Sequence, residues 1–129
     1  MSQPIVFSIV ESPTHKNFSG LYQKFGLKEV RLNSIRKANA ELKKQLPDLV
    51  VAEFFYGYGS NYSGVHISNL DVFLVTLVKY HAQPKIIVLV DKSEADYVHQ
   101  LNEIYPISHI LKHPVKENEM KPVLEHYYG

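Results

Sequence analysis

Pro47 to Phe54 reads PDLVVAEF. A proline and an aspartate begin this stretch, and the apolar residues after them are interrupted only by Glu53. A short apolar run bounded by a proline is typical of a strand that is buried on both faces of a parallel sheet. Phe55 extends the run by one residue. Three further runs share the pattern, namely Ile5–Val10, Lys85–Val90 and Ile107–Leu111. The sequence therefore predicts at least four strands of one buried sheet.

Weaker patterns complete the order of elements. Lys28–Leu32 alternates apolar and charged residues, which indicates a strand at the edge of the sheet. Helical spacing of apolar residues predicts five helices: Phe18–Phe25 before a capping Gly26, Ser34–Leu46, Leu70–His81 after Ser68 or Asn69, Ser93–Ile104, and a last helix from Glu117 that contains Pro122. Strands that alternate with amphipathic helices predict a parallel sheet covered on both faces.

The predicted fold class is α/β, a doubly wound five-stranded parallel sheet of the flavodoxin-like (βα)5 type with strand order 2-1-3-4-5. The chain of 129 residues suits a single domain over residues 1–129. Its 45% hydrophobic and 21% charged residues are typical of a globular protein, and its net charge of +1 favours neither nucleic acid nor an anionic membrane as a partner. We find neither a signal peptide nor an apolar run long enough to span a bilayer, so we expect a cytoplasmic protein.

Chemistry is expected beyond the carboxyl ends of the strands, where open parallel sheets bind their ligands. Glu11 and Ser12 follow the first strand, Glu53 lies late in the third, Val90 ends the fourth and Lys112 follows the fifth. Without a cysteine, the chain can form neither disulfides nor thiolate metal sites. The seven histidines show no ligand spacing, so we predict no metal site and no cofactor.

Two segments resemble the receiver domains of two-component response regulators. PDLVVAEF resembles the third strand of the family, and SHILKHP, Ser108 to Pro114, resembles the fifth strand with its Lys-Pro signature, with His113 inserted. The resemblance covers nearly the whole chain in element order. It implies that Glu11 and Ser12 lie at the acid pair that helps to bind Mg²⁺, and that Glu53 replaces the aspartate that accepts the phosphoryl group.

The same resemblance places Val90 at the Ser/Thr position and Lys112 at the lysine, so only the lysine is retained. The longer side chain of Glu53 moves its carboxylate by about 1.5 Å, a displacement that can slow in-line transfer about a hundredfold. Ser12 removes a negative charge from the metal site, and Val90 has no hydroxyl to follow a phosphoryl oxygen. These three departures predict a degenerate pocket that binds no Mg²⁺, is not phosphorylated and performs no catalysis.

The charges that remain allow two arrangements. Lys112 could pair with Glu53 and fix the pocket in one state, or Glu53 could point to solvent while Lys112 covers the end of the sheet. A buried pair would not by itself stabilise the protein.

The segment after the third strand, Phe54–Ser63, is rich in aromatic residues and glycines. Tyr56, Tyr58 and Tyr62 are the type of side chain favoured at protein interfaces. We interpret this loop either as a docking site for a partner or as a loop that buries its own rings. The receiver resemblance adds a second candidate interface with Tyr97, His109 and Tyr127.

The functional hypothesis is a pseudo-receiver that acts in signal transduction through protein partners, a homodimer being one option, without nucleic acid or membrane. The alternative is a small flavodoxin-like domain that binds a nucleotide or flavin against the tyrosines of the loop. Its weakness is the first turn, ESPTHKN, which has no glycine-rich phosphate cradle. A third possibility is a residual phosphoacceptor that uses Glu53.

Overall fold

A computed structural model describes residues 3–11, 18–56 and 68–129. Its strands and helices alternate along the chain: β1 (Ile5–Ile9), α1 (Ser19–Lys24), β2 (Lys28–Leu32), α2 (Ile35–Glu41), β3 (Leu49–Glu53), α3 (Asp71–Lys79), β4 (Lys85–Val90), a 3₁₀ segment (Lys92–Glu103), β5 (His109–Lys112) and α4 (Glu117–Tyr128). Both the number and the order of the elements agree with the predicted α/β class.

The five strands form one parallel sheet in the order β2-β1-β3-β4-β5, which confirms the predicted topology. β3 is central, and all five of its residues are buried. β2 lies at one edge and shows the half-exposed pattern predicted for it. The chain order reverses between β1 and β3, so the carboxyl ends of these two strands lie side by side at the switch point of the sheet.

Two apolar cores lie on the two faces of the sheet. Because successive residues of a strand point to opposite faces, β3 contributes Val50 and Ala52 to one core and Leu49 and Val51 to the other. The first core packs α2, α3 and the 3₁₀ segment against the sheet, and the second packs α1 and α4. Two covered faces explain why the central strands are almost uninterrupted apolar runs.

Two predicted helix starts are wrong in detail. The N-cap position of α3 is Leu70, which makes no side-chain cap; Ser68 instead accepts the backbone N–H of Leu70 through its hydroxyl at 3.1 Å. The segment predicted as a helix from Ser93 is a 3₁₀ helix of twelve residues, and Asp91 caps it by accepting the N–H of Ser93 at 2.9 Å. Runs of 3₁₀ helix this long are uncommon.

Other predicted features are present. Ser34 caps α2, since its hydroxyl accepts the N–H of Lys37 at 3.1 Å. Gly26 adopts a φ of 76° after α1, a conformation that side chains with a Cβ rarely adopt. α4 runs through Pro122 as one helix. Within the three described ranges, no helix has both the length and the apolar composition needed to cross a bilayer.

The outward face of α3 provides a test of this packing. Leu77 is fully buried in the first core, whereas its neighbour Val78 is 49% exposed. We expect Leu77→Ala to lower the free energy of unfolding by about 2–5 kcal/mol, because it removes apolar contacts and leaves a cavity. Val78→Ala should change it by no more than about 0.5 kcal/mol. Urea unfolding measures both, and equal losses would contradict the assigned orientation of α3.

Candidate functional site

Glu53 is the last residue of β3, at the switch point, and its side chain is only 2% exposed. Its Oε1 accepts the backbone N–H of Glu11 at 2.8 Å. Glu11 follows β1, so this hydrogen bond joins the carboxyl ends of the two strands at the point where the sheet reverses. The side chain at the predicted acceptor position therefore lies inside the protein. The second of the two predicted arrangements, in which Glu53 points to solvent, is wrong.

Asn69 connects the same strand end to the start of α3. It is 4% exposed; its Nδ2 donates to the carbonyl of Glu53 at 2.8 Å, and its Oδ1 accepts the N–H of Phe55 at 2.7 Å. One side chain thus satisfies a buried backbone acceptor at the last residue of β3 and a part-buried backbone donor just beyond the strand. Asn69 was predicted only as a helix cap, and its position against β3 depends on tertiary packing.

Ser68 and Asp71 hold the segment that carries Asn69. The Oδ1 of Asp71 accepts both the backbone N–H and the hydroxyl of Ser68, at 2.8 and 2.6 Å. Both residues are buried. Because their polar atoms are paired, the turn before α3 is fixed, and Asn69 is held at the end of β3.

Glu11 completes a pair of neighbouring carboxyl groups. Burial raises the pKa of the Glu11 carboxyl above its ordinary value; a side-chain hydrogen bond with Asn69 opposes this rise, and the nearby carboxylate of Glu53 adds to it. The Oε2 of Glu11 is buried and has no hydrogen-bond partner among the described residues. Burial and the neighbouring carboxylate therefore make the neutral form of Glu11 easier to populate than it is for a glutamate in water.

Val90 and Lys112 lie at the same edge of the sheet but face away from Glu53. Glu53 is in register with Leu89, and Leu89 with Leu111, whereas Val90 is in register with Lys112. Strand alternation places the two rows on opposite faces. Val90 is fully buried in the first core and Lys112 is exposed, so the geometry gives no support to the predicted Glu53–Lys112 pair.

His113 lies beyond Lys112 and continues the ladder by donating its N–H to the carbonyl of Val90 at 2.8 Å. It lies near Asp91, the first residue after β4. The backbone N–H and the hydroxyl of Ser93 hold the pKa of the Asp91 carboxyl below its ordinary value, and the nearby His113 and Lys92 lower it further. His113, the histidine inserted into the Lys-Pro signature, therefore lies near Asp91 at the carboxyl ends of β4 and β5.

Tyr56 and Tyr97, predicted in separate interfaces, are in contact. Their rings stack with centroids 3.8 Å apart and planes inclined by 17°. The backbone N–H of Tyr56 donates to Glu94 at 3.1 Å, which ties the end of the β3 segment to the 3₁₀ segment. Three other predicted site residues, Ser12, Tyr58 and Tyr62, lie outside the described residues.

His109 and Tyr127, the rest of the predicted interface, form a separate pair between β5 and α4. The Tyr127 hydroxyl and the Nδ1 of His109 are 3.1 Å apart. His126 lies beside them, with its ring centroid 6.1 Å from that of His109. Burial lowers the pKa of His109, and the neighbouring His126 lowers it further. The structure thus divides the predicted interface into two contacts.

The described donors do not fit the Mg²⁺ that the receiver resemblance implies. Oε1 of Glu53 already faces a backbone N–H, and Glu11 is engaged by Asn69. Across residues 3–11, 18–56 and 68–129, no group of three or more acidic or histidine side chains is arranged to hold a metal ion. We therefore derive no step through a metal ion.

The two hydrogen bonds that the Asn69 side chain makes with the backbone should contribute to stability. We expect Asn69→Ala to lower the free energy of unfolding by about 1–3 kcal/mol for each backbone group left buried without a partner. Asn102 is a matched control, because it also bonds two backbone groups, the carbonyl of His99 and the N–H of Ile107, but it is exposed. Water can replace its bonds, so Asn102→Ala should cost less in urea unfolding. A larger loss of unfolding free energy for Asn102→Ala than for Asn69→Ala would contradict this prediction.

The raised pKa of Glu11 predicts a pH dependence. A carboxyl group with a higher pKa in the folded state binds more protons there, so stability falls as the pH rises from the ordinary glutamate value of 4.5 through the folded value. Glu11→Gln should remove this decline and leave the protein more stable at neutral pH. Unfolding measured across the pH range, with Glu117→Gln as the exposed control, tests this. Identical profiles for Glu11→Gln and the wild type would refute it.

Neither the protein-family models nor the curated proteins contain a match to this sequence. Solved structures do match its fold. The chemotaxis protein CheY4 of Vibrio cholerae is similar with a TM-score of 0.72 and 12% identity, over 97% of this chain and 98% of that one. A response regulator from Thermotoga maritima is similar with a TM-score of 0.71 and 14% identity, over 97% of both chains.

A third similar structure is the receiver domain of a sensor histidine kinase from Pseudomonas aeruginosa, which holds a magnesium ion in its active-site cleft. Its TM-score is 0.70 and its identity 11%, over 99% of both chains. The coverage is nearly complete in both directions, so the similarity concerns the whole domain. At this level of identity it establishes the fold, and the chain has the fold of response-regulator receiver domains.

Proposed function

We propose that this chain is a pseudo-receiver: a regulatory module that acts through protein partners in the cytoplasm and performs no phosphoryl transfer at Glu53. The receiver fold supports a role in signal transduction, because the similar solved structures are receiver domains and response regulators. Function depends on the site more than on the fold, so the proposal depends on the chemistry of the switch point.

The observation that carries the proposal is the hydrogen bond from Glu11 N–H to Glu53 Oε1. A phosphoryl acceptor must present a free carboxylate oxygen in line with the leaving group. Here one oxygen of a 2% exposed carboxylate is directed at a backbone donor. Attack by Oε1 on a phosphoryl donor would require this bond to break, and either oxygen would have to move outward from its buried position.

The position that the receiver resemblance assigns to a serine or threonine has no hydroxyl. Val90 offers only methyl groups, and these are packed in the first core and not exposed at the edge of the sheet. Lys112, the one family residue retained, belongs to the row on the opposite face from Glu53. Among the residues that the structure describes, a phosphoryl group at Glu53 would therefore meet neither a hydroxyl from the Val90 position nor Lys112 on its own face, so the usual means of moving the rest of the domain is missing.

The nucleotide- or flavin-binding alternative has no comparable support. The similar solved structures named above are receiver domains and response regulators. Of the three tyrosines predicted to stack on a ligand ring, Tyr56 already stacks on Tyr97, and Tyr58 and Tyr62 lie outside the described residues. We therefore keep the pseudo-receiver, which acts through protein partners, as the single proposed function.

Beryllofluoride with Mg²⁺ mimics a phosphoryl group and tests the proposal. We expect no saturable change in the amide spectrum of the wild-type protein, because the Glu53 carboxylate is engaged and the described donors do not form a metal site. Glu53→Asp should also fail to respond, since Val90 remains. A receiver domain with an intact aspartate serves as positive control. Saturable shifts of the Glu11 and Glu53 amides in the wild type would overturn the proposal.

A further inference from the structure

The outer surface of α3 is apolar where a helix in solvent is ordinarily polar. Val72, Val75 and Val78 are 44, 42 and 49% exposed, and they follow one another at intervals of three residues along one side of the helix. We call these three residues the valine face. The inner side of α3, with Phe73, Leu74 and Leu77, is already fully buried against the sheet.

Folding does not explain the valine face. Valine is a poor helix former, because its branched side chain loses rotamer freedom against the preceding turn. At an exposed position it gains little burial in return, so a lysine or glutamate would serve the helix better. Thr76, between the valines, donates its hydroxyl to the carbonyl of Val72 at 2.8 Å, a bond that also gives the helix little. A residue type that is unfavourable for the local helix is expected at positions where function requires it.

The surroundings of the valine face are basic. Lys79 ends α3, and the chain leads from there into β4. The start of β4 lies beside the start of β3, because Leu49 and Lys85 are paired. Four exposed lysines, which we call the basic rim, lie on these elements: Lys43, Lys44, Lys79 and Lys85.

The acids of this edge are engaged within the protein. The Oδ2 of Asp48 accepts the N–H of Ile5 at 2.8 Å, and Glu41 accepts from the side chain of Gln45 at 2.7 Å. Asp71, at the first turn of α3, is buried and bonded to Ser68. Glu41 and Asp48 keep their negative charges, but the four exposed lysines outnumber them, so the edge presents an excess of positive charge to a partner.

Charge and area together argue against a second copy of this chain as the occupant. Two copies that met through the valine face with their α3 helices parallel would bring two basic rims together, and like charges across an interface are unfavourable. Three half-exposed valines and the adjacent Tyr80 offer a patch of only a few hundred Å², well below the roughly 800 Å² per partner of a stable interface. The same patch suits a transient regulatory contact.

We propose that the valine face is a docking surface for a protein partner whose segment carries an aliphatic strip flanked at one end by acidic residues. The aliphatic strip would pack on Val72, Val75 and Val78, and the acidic residues would meet the basic rim. This inference rests on the proposed function, since it names the surface through which a pseudo-receiver would act.

The test uses helical peptides of roughly 15 residues with a leucine strip. One carries glutamates at one end, a second carries lysines there, and a third keeps the glutamates but has serines in place of leucines. Binding is followed in the amide spectrum of the protein. We expect the acidic leucine peptide to shift the amides of α3 and to bind about tenfold more tightly than either of the other two.

Two variants locate the site. Val75→Glu should weaken binding of the acidic leucine peptide at least about tenfold, because it places a charge in the apolar contact. Ile110→Glu, at an equally exposed apolar residue on β5, should leave binding unchanged. Thermal melting shows that both variants are folded.

The inference fails if the three peptides bind equally, if the shifts lie outside α3, or if Ile110→Glu has the effect expected of Val75→Glu. It also fails if sedimentation shows a wild-type dimer that Val75→Glu dissociates, since the occupant would then be a second copy. None of these outcomes involves Glu53. The beryllofluoride titration therefore reports on the proposed function separately.

Discussion

The hydrogen bond between the backbone N–H of Glu11 and Oε1 of Glu53 governs the chemistry of this domain. It joins the carboxyl ends of β1 and β3 at the point where the sheet reverses, the place where open parallel sheets bind their ligands. The extra methylene of glutamate does not carry the carboxylate out to solvent; the side chain remains 2% exposed and satisfies a backbone donor. Asn69 reinforces this arrangement from the other side by holding the backbone of Glu53 and Phe55.

Much of the fold could be predicted from the sequence, because the central strands are apolar on both faces and few topologies bury such strands. The runs around Val50 and Val88 specified the parallel sheet, and the alternation in Lys28–Leu32 specified its edge. The structure of Lys92–Glu103 could not be predicted in the same way. Its buried residues Val98 and Leu101 satisfy the spacing of either helix type, so apolar periodicity does not distinguish the 3₁₀ form.

The site was predictable in position but less so in contacts. Strand order alone brings Glu11 and Glu53 together. Asn69 becomes part of the site only because the turn before α3 packs on the end of β3, and no local pattern reports such a contact. The register gives no support to a pairing of Glu53 with Lys112, one of the two arrangements considered, because a shift of one residue along β5 moves a side chain to the other face of the sheet. The stacking of Tyr56 on Tyr97 joins two segments that are remote in sequence, and it places the two predicted docking features in one contact.

The central claim is that the Glu53 carboxylate is held inward and is unavailable for phosphoryl chemistry. The backbone amide of Glu11 reports on this most directly, because it donates the hydrogen bond. Its proton exchange with solvent should be slow in the wild type and fast in Glu53→Ala, and its chemical shift should not respond to Mg²⁺. A Glu11 amide that exchanges rapidly in the wild type, or that shifts saturably on addition of Mg²⁺, would contradict the account.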